Sequence, residues 1–304
     1  MLAPVVIFVY ARPEHTIKTV ESLAKNMFAD ETDVYIFSDG AKSERVQPAV
    51  DAVRAYIDTL GQRMLFKSVT VTKTGKNNGL ANSVITGVTE VIRKHGKVIV
   101  VEDDLISSLD FLQYMNCALD FYRSDIRIWS ICGYTFRIQF PRDYTADVYL
   151  SYRGGSWGWA TWLDRWHTVD WQVKDYHEFR ASKRRRTQFN RGGRDMCEMM
   201  DNQMRGIIDS WAIRWCYAQS KRDMLTVYPR TSRIANIGLD GSGTHSGVAP
   251  EFVVSLQADI KPVHFEAVQL DERIVSQFCD RFGTRYEWAF KRFKRSVKRL
   301  ICMR

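Results

Sequence analysis

Short apolar runs alternate with longer amphipathic stretches through residues 1–125 of the chain. The apolar runs are typical of buried strands, and the stretches between them repeat apolar positions at helical spacing. We predict strands at 4–10, 34–37, 65–72 and 97–101, and helices at 13–27, 44–60, 80–95 and 109–123. Strands that alternate with helices in this way predict an α/β fold with a mostly parallel sheet and helices on both faces.

The second half of the chain loses this alternation and is rich in tryptophan and tyrosine. We predict a helix at 199–220, a basic loop at 183–186 and a mobile glycine-rich loop at 238–247. No long linker interrupts the chain. We therefore interpret residues 1–125 and 126–260 as two halves of one domain, followed by a separate segment at 261–304.

Charge is concentrated at the C-terminal end. The net charge is +9, and residues 285–304 contribute +7 from eight Lys or Arg and one Glu, with apolar residues at helical spacing. This pattern predicts a basic amphipathic helix that docks on an anionic membrane surface. The alternative is a helix that packs its apolar stripe on the core. We expect no nucleic-acid partner, because no RNA- or DNA-binding motif accompanies the charge.

The remaining composition is that of a cytoplasmic protein. No apolar stretch reaches the length of a membrane span, and the first predicted strand follows the start of the chain without a signal peptide. Six cysteines are scattered without paired spacing. We interpret them as reduced thiols and expect neither disulfides nor a zinc site.

Three consecutive acids, Glu102, Asp103 and Asp104, end the apolar run at 97–101. Carboxylates at the end of a buried strand are costly unless a positive group meets them. In open α/β sheets, ligands bind outside the carboxyl ends of the strands. Hard divalent cations prefer oxygen ligands and share them with substrate phosphates. We therefore predict a Mn²⁺ or Mg²⁺ site here, the alternative being surface acids at a strand that ends in solvent.

Polar residues also follow the other predicted strands, so one crevice would collect Arg12, Asp39 and Asn78 with the acids. These residue types suit a nucleotide diphospho-sugar, with Asp39 on the base or ribose and Arg12 on the nucleotide. A metal bridging the diphosphate would neutralise the leaving group. The alternatives are structural, because Asp39 can shape a turn and Arg12 can be a surface residue.

Transfer of the sugar to an alcohol needs a base, usually a carboxylate near the acceptor oxygen. Our candidate is Asp209, which lies in an apolar aromatic stretch where we expect burial. The alternative is that Asp209 caps the helix that carries Trp211 and Trp215. Asp201 is the rival base, and we expect it on a helix surface.

Aromatic residues in the second half suit the flat faces of sugar rings. The acceptor candidates are Trp157 and Trp159, from a loop rich in glycine and tryptophan, and Trp211. The alternative is that they fill the core. His245, in the 238–247 loop, is a weaker candidate for a phosphate or metal contact.

These residues resemble glycosyltransferases of the GT-A fold, which has a Rossmann-like sheet. The resemblance rests on Asp39, on the acids 102–104 in place of the family's Asp-X-Asp motif, and on the Asn-X-Gly-Leu turn at 77–80. The Asp-Ser-Trp segment at 209–211 and the stretch 228–233 are most similar to the inverting N-acetylglucosaminyltransferase I group. Ser210 departs from that group, and residues 155–166 look like bacterial sugar transferases of polysaccharide assembly.

The resemblance implies a role for each matching position. Asp104 would be the metal ligand, Glu102 and Asp103 would contact sugar and ribose, Asp39 would bind uracil and Asp209 would be the base.

The resemblance also implies a UDP-sugar donor and a glycan or lipid-linked glycan acceptor. The setting would be surface polysaccharide or lipopolysaccharide assembly, at the cytoplasmic face of a bacterial inner membrane. Three alternatives stay open: a retaining GT-A transferase, a glycan-binding module and a sugar nucleotidyltransferase. The absence of glycine at 10–15 disfavours the last.

Overall fold

The computed structural model of the chain describes residues 1–240, 252–256 and 262–283. A central sheet of eight strands has the order β3-β2-β1-β4-β8-β6-β9-β7, and β5 pairs with β10 in a small second sheet. The strands are β1 (Val5–Val9), β2 (Asp33–Ser38), β3 (Ser68–Lys73), β4 (Lys97–Glu102), β5 (Leu105–Ser107), β6 (Ile128–Cys132), β7 (Val148–Ser151), β8 (Trp159–Trp162), β9 (Leu225–Pro229) and β10 (Ile234–Asn236).

Helices cover the faces of this sheet. They are α1 (Pro13–Ala24), α2 (Gln47–Asp58), α3 (Leu80–His95), α4 (Phe111–Phe121), α5 (Leu163–Trp166), α6 (Tyr176–Ala181), α7 (Lys183–Phe189), α8 (Met196–Met204), α9 (Trp211–Lys221) and α10 (Glu272–Arg281). The predicted α/β architecture, a mixed and mostly parallel sheet flanked by helices, is confirmed.

The first half of the sheet is entirely parallel. Strands β3, β2, β1 and β4 pair in parallel register, and all five residues of β1 are buried. A strand covered on both faces reads as a continuous apolar run, which is why the sequence pattern located β1 and β4 well. The predicted helix at 80–95 has the same bounds as α3.

The second half of the sheet mixes directions. Strand β8 is antiparallel to both β4 and β6, β6 is parallel to β9, and β7 is antiparallel to β9. An antiparallel strand needs no crossover helix. The strand–helix rhythm is therefore lost in this part of the sequence.

Two predictions for the second half were wrong. The predicted basic loop at 183–186 is the start of α7, because the Ser182 side chain accepts a hydrogen bond from the Arg185 amide and caps the helix. The predicted helix at 199–220 is two helices, α8 and α9. Gly206, with φ +70°, lies just after α8, and the Ser210 side chain caps α9 by accepting from the Ile213 amide.

A cluster of tryptophans packs between the sheet and the helices α3 and α9. Trp129, Trp159, Trp166, Trp211 and Trp215 are at most 3% exposed. The ring centroids of Trp159 and Trp211 lie 5.0 Å apart. These rings form the core of this layer.

Two predicted segments lie outside the described residues. They are the basic amphipathic stretch 285–304 and residues 241–247 of the glycine-rich loop, including His245. In the part of the chain that the structure describes, no helix has both the length and the apolar character needed to cross a membrane.

Candidate functional site

The carboxyl ends of β1, β2 and β4 meet at one edge of the sheet. Phe8 is opposite Glu102, and Val9 is opposite Ser38. Just after β1, the Tyr10 amide donates to Asp103 Oδ2 over 3.3 Å, and the Tyr10 hydroxyl accepts from the Lys42 amide over 2.9 Å. The chain after β1 therefore joins the acidic end of β4 to the loop that follows β2.

Arg12 supplies the positive charge that the buried acids require. It immediately precedes α1, and its guanidinium donates to Asp103 Oδ1 and, over 3.0 Å, to Asp104 Oδ2. Burial lowers the pKa of Arg12, but the charges of Asp103 and Asp104 outweigh it and raise the pKa above its ordinary value. Arg12, predicted as a contact to the nucleotide, is thus an ion-pair partner of the acidic cluster in this structure.

Two carboxyl groups of the acidic cluster have raised pKa values. Burial, with the charges of Asp104 and Asp103, raises the pKa of Glu102 to about 8. Burial also raises the pKa of Asp103 above its ordinary value, even though Arg12 lowers it. Burial and mutual repulsion thus disfavour the ionised form of these carboxyl groups, and a bound cation would offset both effects.

Asp104 presents a free oxygen to this edge. Its Oδ1 is buried and has no hydrogen-bond partner in the described part of the chain. Its backbone oxygen accepts from the Ile237 amide over 2.9 Å, which brings Gly238 against the carboxylate. A Cβ at Gly238 would lie 2.1 Å from Asp104 Oδ2 and 2.8 Å from Arg12 Nη1. Only glycine allows this close approach.

The acidic cluster can offer a metal ion a single protein ligand. Across residues 1–240, 252–256 and 262–283, no three His, Cys, Asp or Glu side chains are placed to hold a metal ion together. The unpartnered Oδ1 of Asp104 can supply a single ligand. An ion here would depend on ligand phosphates and water for the rest of its coordination, as Mg²⁺ commonly does.

The Asp39 carboxylate is hydrogen-bonded within the protein. It accepts from the amides of Asn78 and Gly79 at 2.9–3.0 Å and from the Thr74 hydroxyl at 2.9 Å. It thereby ties the end of β2 to the start of α3 and shapes the loop, as the structural alternative expected. The Asn78 residue is exposed beside it. Binding of uracil by Asp39 stays a prediction.

Asp209 was expected to be buried, and that was wrong. Its side chain is 57% exposed, and its Oδ1 accepts from the Arg214 guanidinium over 3.3 Å. It does not cap α9, because Ser210 does. Asp209 Oδ2 lies 3.6 Å from the position of a Cβ on Gly79, a residue with φ +79°. The exposed carboxylate therefore faces the start of α3, next to the loop that Asp39 organises.

The three tryptophans predicted to bind the acceptor differ in burial. Trp159 and Trp211 were predicted to bind the acceptor, and that was wrong, because both rings are buried in the tryptophan core. Trp157 is partly buried, and its ring centroid lies 4.6 Å from that of Tyr134. The rival base Asp201 accepts from Arg186 and from the Tyr176 hydroxyl, so its carboxylate is committed to structure.

Sequence reasoning missed three features of the site. Arg214 contacts Asp209, Gly238 packs on Asp104, and Asp110 pairs with Arg233 over 3.3 Å in the interior. The last pair fixes the segment that leads into β10 and Gly238. Asp110 and Arg233 are 123 positions apart in the chain. No local spacing in the sequence signals such a contact, whereas Gly238 was visible as the first residue of the predicted glycine-rich loop 238–247.

Comparisons with known proteins give distant structural similarity only. No protein-family model and no curated protein matches the sequence. A crystal structure of S. aureus TarS 1-349 is 12% identical with TM-score 0.42, over 78% of this chain and 61% of that chain. A second, in complex with UDP, is 15% identical with TM-score 0.29, over 47% of this chain and 38% of that one.

A third match is a putative glucose-1-phosphate thymidylyltransferase from Bacillus anthracis in complex with a sucrose. It is 16% identical with TM-score 0.28, over 42% of this chain and 53% of that chain. The chain thus spans less than two thirds of each of these three structures. TM-scores this low do not establish a common fold.

Proposed function

We propose that this chain is a metal-dependent, inverting glycosyltransferase of the GT-A fold that moves a sugar from a UDP-sugar to a hydroxyl of a glycan acceptor. One observation carries the proposal. A buried acidic cluster with one unpartnered carboxylate oxygen, on Asp104, lies at the ligand-binding edge of a parallel sheet. The exposed carboxylate of Asp209 faces the start of α3, at the same end of the sheet.

The acidic edge would bind the donor. Asp104 would contribute its free Oδ1 to Mn²⁺ or Mg²⁺, and such an ion supplies Lewis-acid neutralisation of a departing diphosphate. Glu102 and Asp103 would hydrogen-bond hydroxyls of the sugar and ribose. Arg12 would keep the acids together by neutralising part of their charge. Asp39 and Asn78 would contact the nucleotide from the neighbouring loop.

Asp209 would take the proton from the acceptor hydroxyl. An exposed carboxylate is accessible to an acceptor that arrives from solvent, and Arg214 fixes one of its oxygens and leaves Oδ2 open. Trp157, the half-buried member of the predicted aromatic set, would be the remaining sugar-stacking candidate. Since Trp159 and Trp211 are core residues, the aromatic content no longer favours a pure glycan-binding module.

The wider setting is also a proposal. Residues 1–125 would bind the donor and residues 126–260 would contribute base and acceptor contacts. The acceptor would be a glycan or lipid-linked glycan of bacterial surface polysaccharide assembly. Residues 285–304 would supply peripheral contact with the cytoplasmic face of the membrane.

A donor screen tests the proposal. The purified chain is incubated with UDP-, GDP- and CDP-sugars and a panel of glycan acceptors, with Mn²⁺ or with EDTA, and release of nucleoside diphosphate is measured. We expect metal-dependent release from one UDP-sugar that rises with the correct acceptor. Formation of a nucleotide-sugar from sugar phosphate and nucleoside triphosphate, without transfer to any acceptor, would contradict the proposal.

A further inference from the structure

A second concentration of charge lies away from the acidic edge, on α7 and the turn after it. Residues 179–194 contain seven Lys or Arg and no Asp or Glu. This segment borders an open cavity of about 740 Å³, within the range of small-molecule sites. The cavity is lined by Lys183, Arg184, Thr187, Gln188, Arg191 and Asp223.

Ion pairing divides these cations into two groups. Four of them are paired with carboxylates from other parts of the chain: Arg185 with Asp175, Arg186 with Asp201, Arg191 with Asp223 and Arg194 with Asp280. Of the other three cations, Arg180 does not line the cavity, whereas Lys183 and Arg184 do. Lys183 and Arg184 are exposed and have no carboxylate partner in the described ranges, so α7 brings two unpaired cations to the cavity.

Arg191, a third cation that lines the cavity, is held in place by two contacts besides its ion pair with Asp223. The Arg191 guanidinium stacks 3.8 Å above the Tyr152 ring, and its Nε donates to the Gln188 backbone oxygen over 3.2 Å. Thr187 is exposed on α7 one turn after Lys183, so its hydroxyl lies on the same helix face. The cavity thus offers two free cations and a hydroxyl donor, beside one arginine held in place.

The cavity is distinct from the proposed transfer site. Asp209 lies just before α9 and Asp223 just after it, and α9 has 11 residues. At 1.5 Å per residue the helix separates the two carboxylates by roughly 16 Å. An anion bound beside Asp223 is therefore not the leaving group at the acidic edge.

We propose that this cavity binds a phosphate monoester or diester carried on a larger molecule. Lysine supplies a point charge and arginine a planar fork of donors, a combination that suits phosphate oxygens. The carboxylate of Asp223 also lines the cavity and pairs with Arg191, so Lys183 and Arg184 are the cations left to meet the anion. The phosphate belongs either to a soluble molecule or to the headgroup of an anionic lipid.

The first test uses glycerol 3-phosphate as the probe, titrated calorimetrically into the full chain. The double variant Lys183→Gln/Arg184→Gln removes both unpaired cations, and we expect the dissociation constant to rise at least about tenfold. The matched control is Lys18→Gln/Arg93→Gln, which removes the same charge from two exposed residues elsewhere. We expect the control to bind like the wild type.

A gain-of-binding variant sharpens the test. Asp223 has φ +53°, a conformation that asparagine tolerates, so Asp223→Asn removes the opposing charge with little backbone strain. It also releases Arg191 to meet the anion. We expect binding of glycerol 3-phosphate to tighten by about threefold.

The lipid source is tested by sedimentation with phosphatidylglycerol vesicles. If the headgroup is the ligand, Lys183→Gln/Arg184→Gln lowers the vesicle-bound fraction below that of the control variant. Loss with either probe supports the site and names its source. Two outcomes overturn it: equal binding of both probes by pocket and control variants, including no binding, or loss of glycerol 3-phosphate binding, titrated with Mn²⁺ present, only in Asp104→Asn, which would place the anion at the acidic edge.

Discussion

The two sets of carboxylates proposed to act in transfer lie in opposite environments. Asp103 and Asp104 directly follow β4, are less than 8% exposed and share the guanidinium of Arg12. Asp209 begins the segment before α9 and is mostly exposed. The buried pair is suited to hold charge in a fixed place, and the exposed carboxylate is suited to meet a mobile acceptor. Donor binding and proton removal should therefore respond to different substitutions.

The largest expected effect separates these two roles. Asp209→Asn keeps the size of the side chain and removes the base, so we expect transfer to fall by about 10²–10⁴-fold while nucleotide binding stays unchanged. Initial rates and calorimetry measure the two quantities. Asp201→Asn is the control, because Asp201 is bound to Arg186 and Tyr176, and it should keep near wild-type turnover. Wild-type turnover in Asp209→Asn would remove the base assignment.

Trp159 and Trp157 differ in burial, as the two sets of carboxylates do. Trp159 is fully buried, so Trp159→Ala should lower the free energy of unfolding by about 3–5 kcal/mol. Trp157→Ala should cost less stability, because that ring is only partly buried, and should weaken acceptor binding instead. Urea denaturation and acceptor kinetics check both. Equal destabilisation by the two variants would contradict the division into core and surface rings.

Asp104→Asn tests the buried side of the comparison. It removes the charge of the carboxylate in the acidic cluster whose buried Oδ1 has no hydrogen-bond partner, so metal-dependent nucleotide binding should weaken by about 10–100-fold. Asp120→Asn removes an exposed carboxylate on α4 and serves as the control. Calorimetry with Mn²⁺ measures both variants. Unchanged metal-dependent binding in Asp104→Asn would place the metal elsewhere.

Gly238→Ala perturbs the same carboxylate through the backbone. The new Cβ would lie 2.1 Å from Asp104 Oδ2, so either the carboxylate or the segment after β10 must shift. We expect nucleotide binding to weaken by about tenfold. Gly61→Ala is the matched control, because nothing lies within 4 Å of its Cβ position. Equal nucleotide binding in the two variants would show that this close contact is unimportant.

Per pH unit, the smallest expected effect is the pH dependence of stability in EDTA. The pKa of Glu102 is raised to about 8 in the folded protein from an ordinary 4.5. Between these values the folded state binds more protons than the unfolded state, so stability falls as pH rises, by at most roughly 1.4 kcal/mol per pH unit. Glu102→Gln should flatten this part of the profile in chemical denaturation. An unchanged slope would contradict the pKa shift.

The sequence predicted the two halves of the molecule unequally well. In the parallel half, continuous apolar runs fixed the strands, and sheet topology then required the polar residues after them to share an edge. This reasoning placed Arg12, Asp39 and the acids together. It did not reveal that Arg12 pairs with the acids. The end of a strand locates a residue, but it does not determine the direction of its side chain.

The second half offered no comparable rule. The aromatic stretch near 209–215 suggested that Asp209 is buried and that the Trp211 ring is accessible to an acceptor. In the structure Asp209 is exposed and Trp211 is buried. Helix α9 turns Trp211 and Trp215 into the core, while Asp209 precedes its cap and stays in solvent. Local composition does not tell which face of a helix packs. Contacts such as Asp110 with Arg233 depend on the tertiary fold alone.

Calorimetric titration of the chain with UDP, GDP and CDP, each with Mn²⁺ and with EDTA, tests the central claim most directly. The acidic edge should bind one of these nucleotides, which we expect to be UDP, with micromolar affinity in Mn²⁺ and lose it in EDTA and in Asp104→Asn. Absence of metal-dependent binding for all three nucleotides would contradict the assignment of this edge as a nucleotide-sugar site.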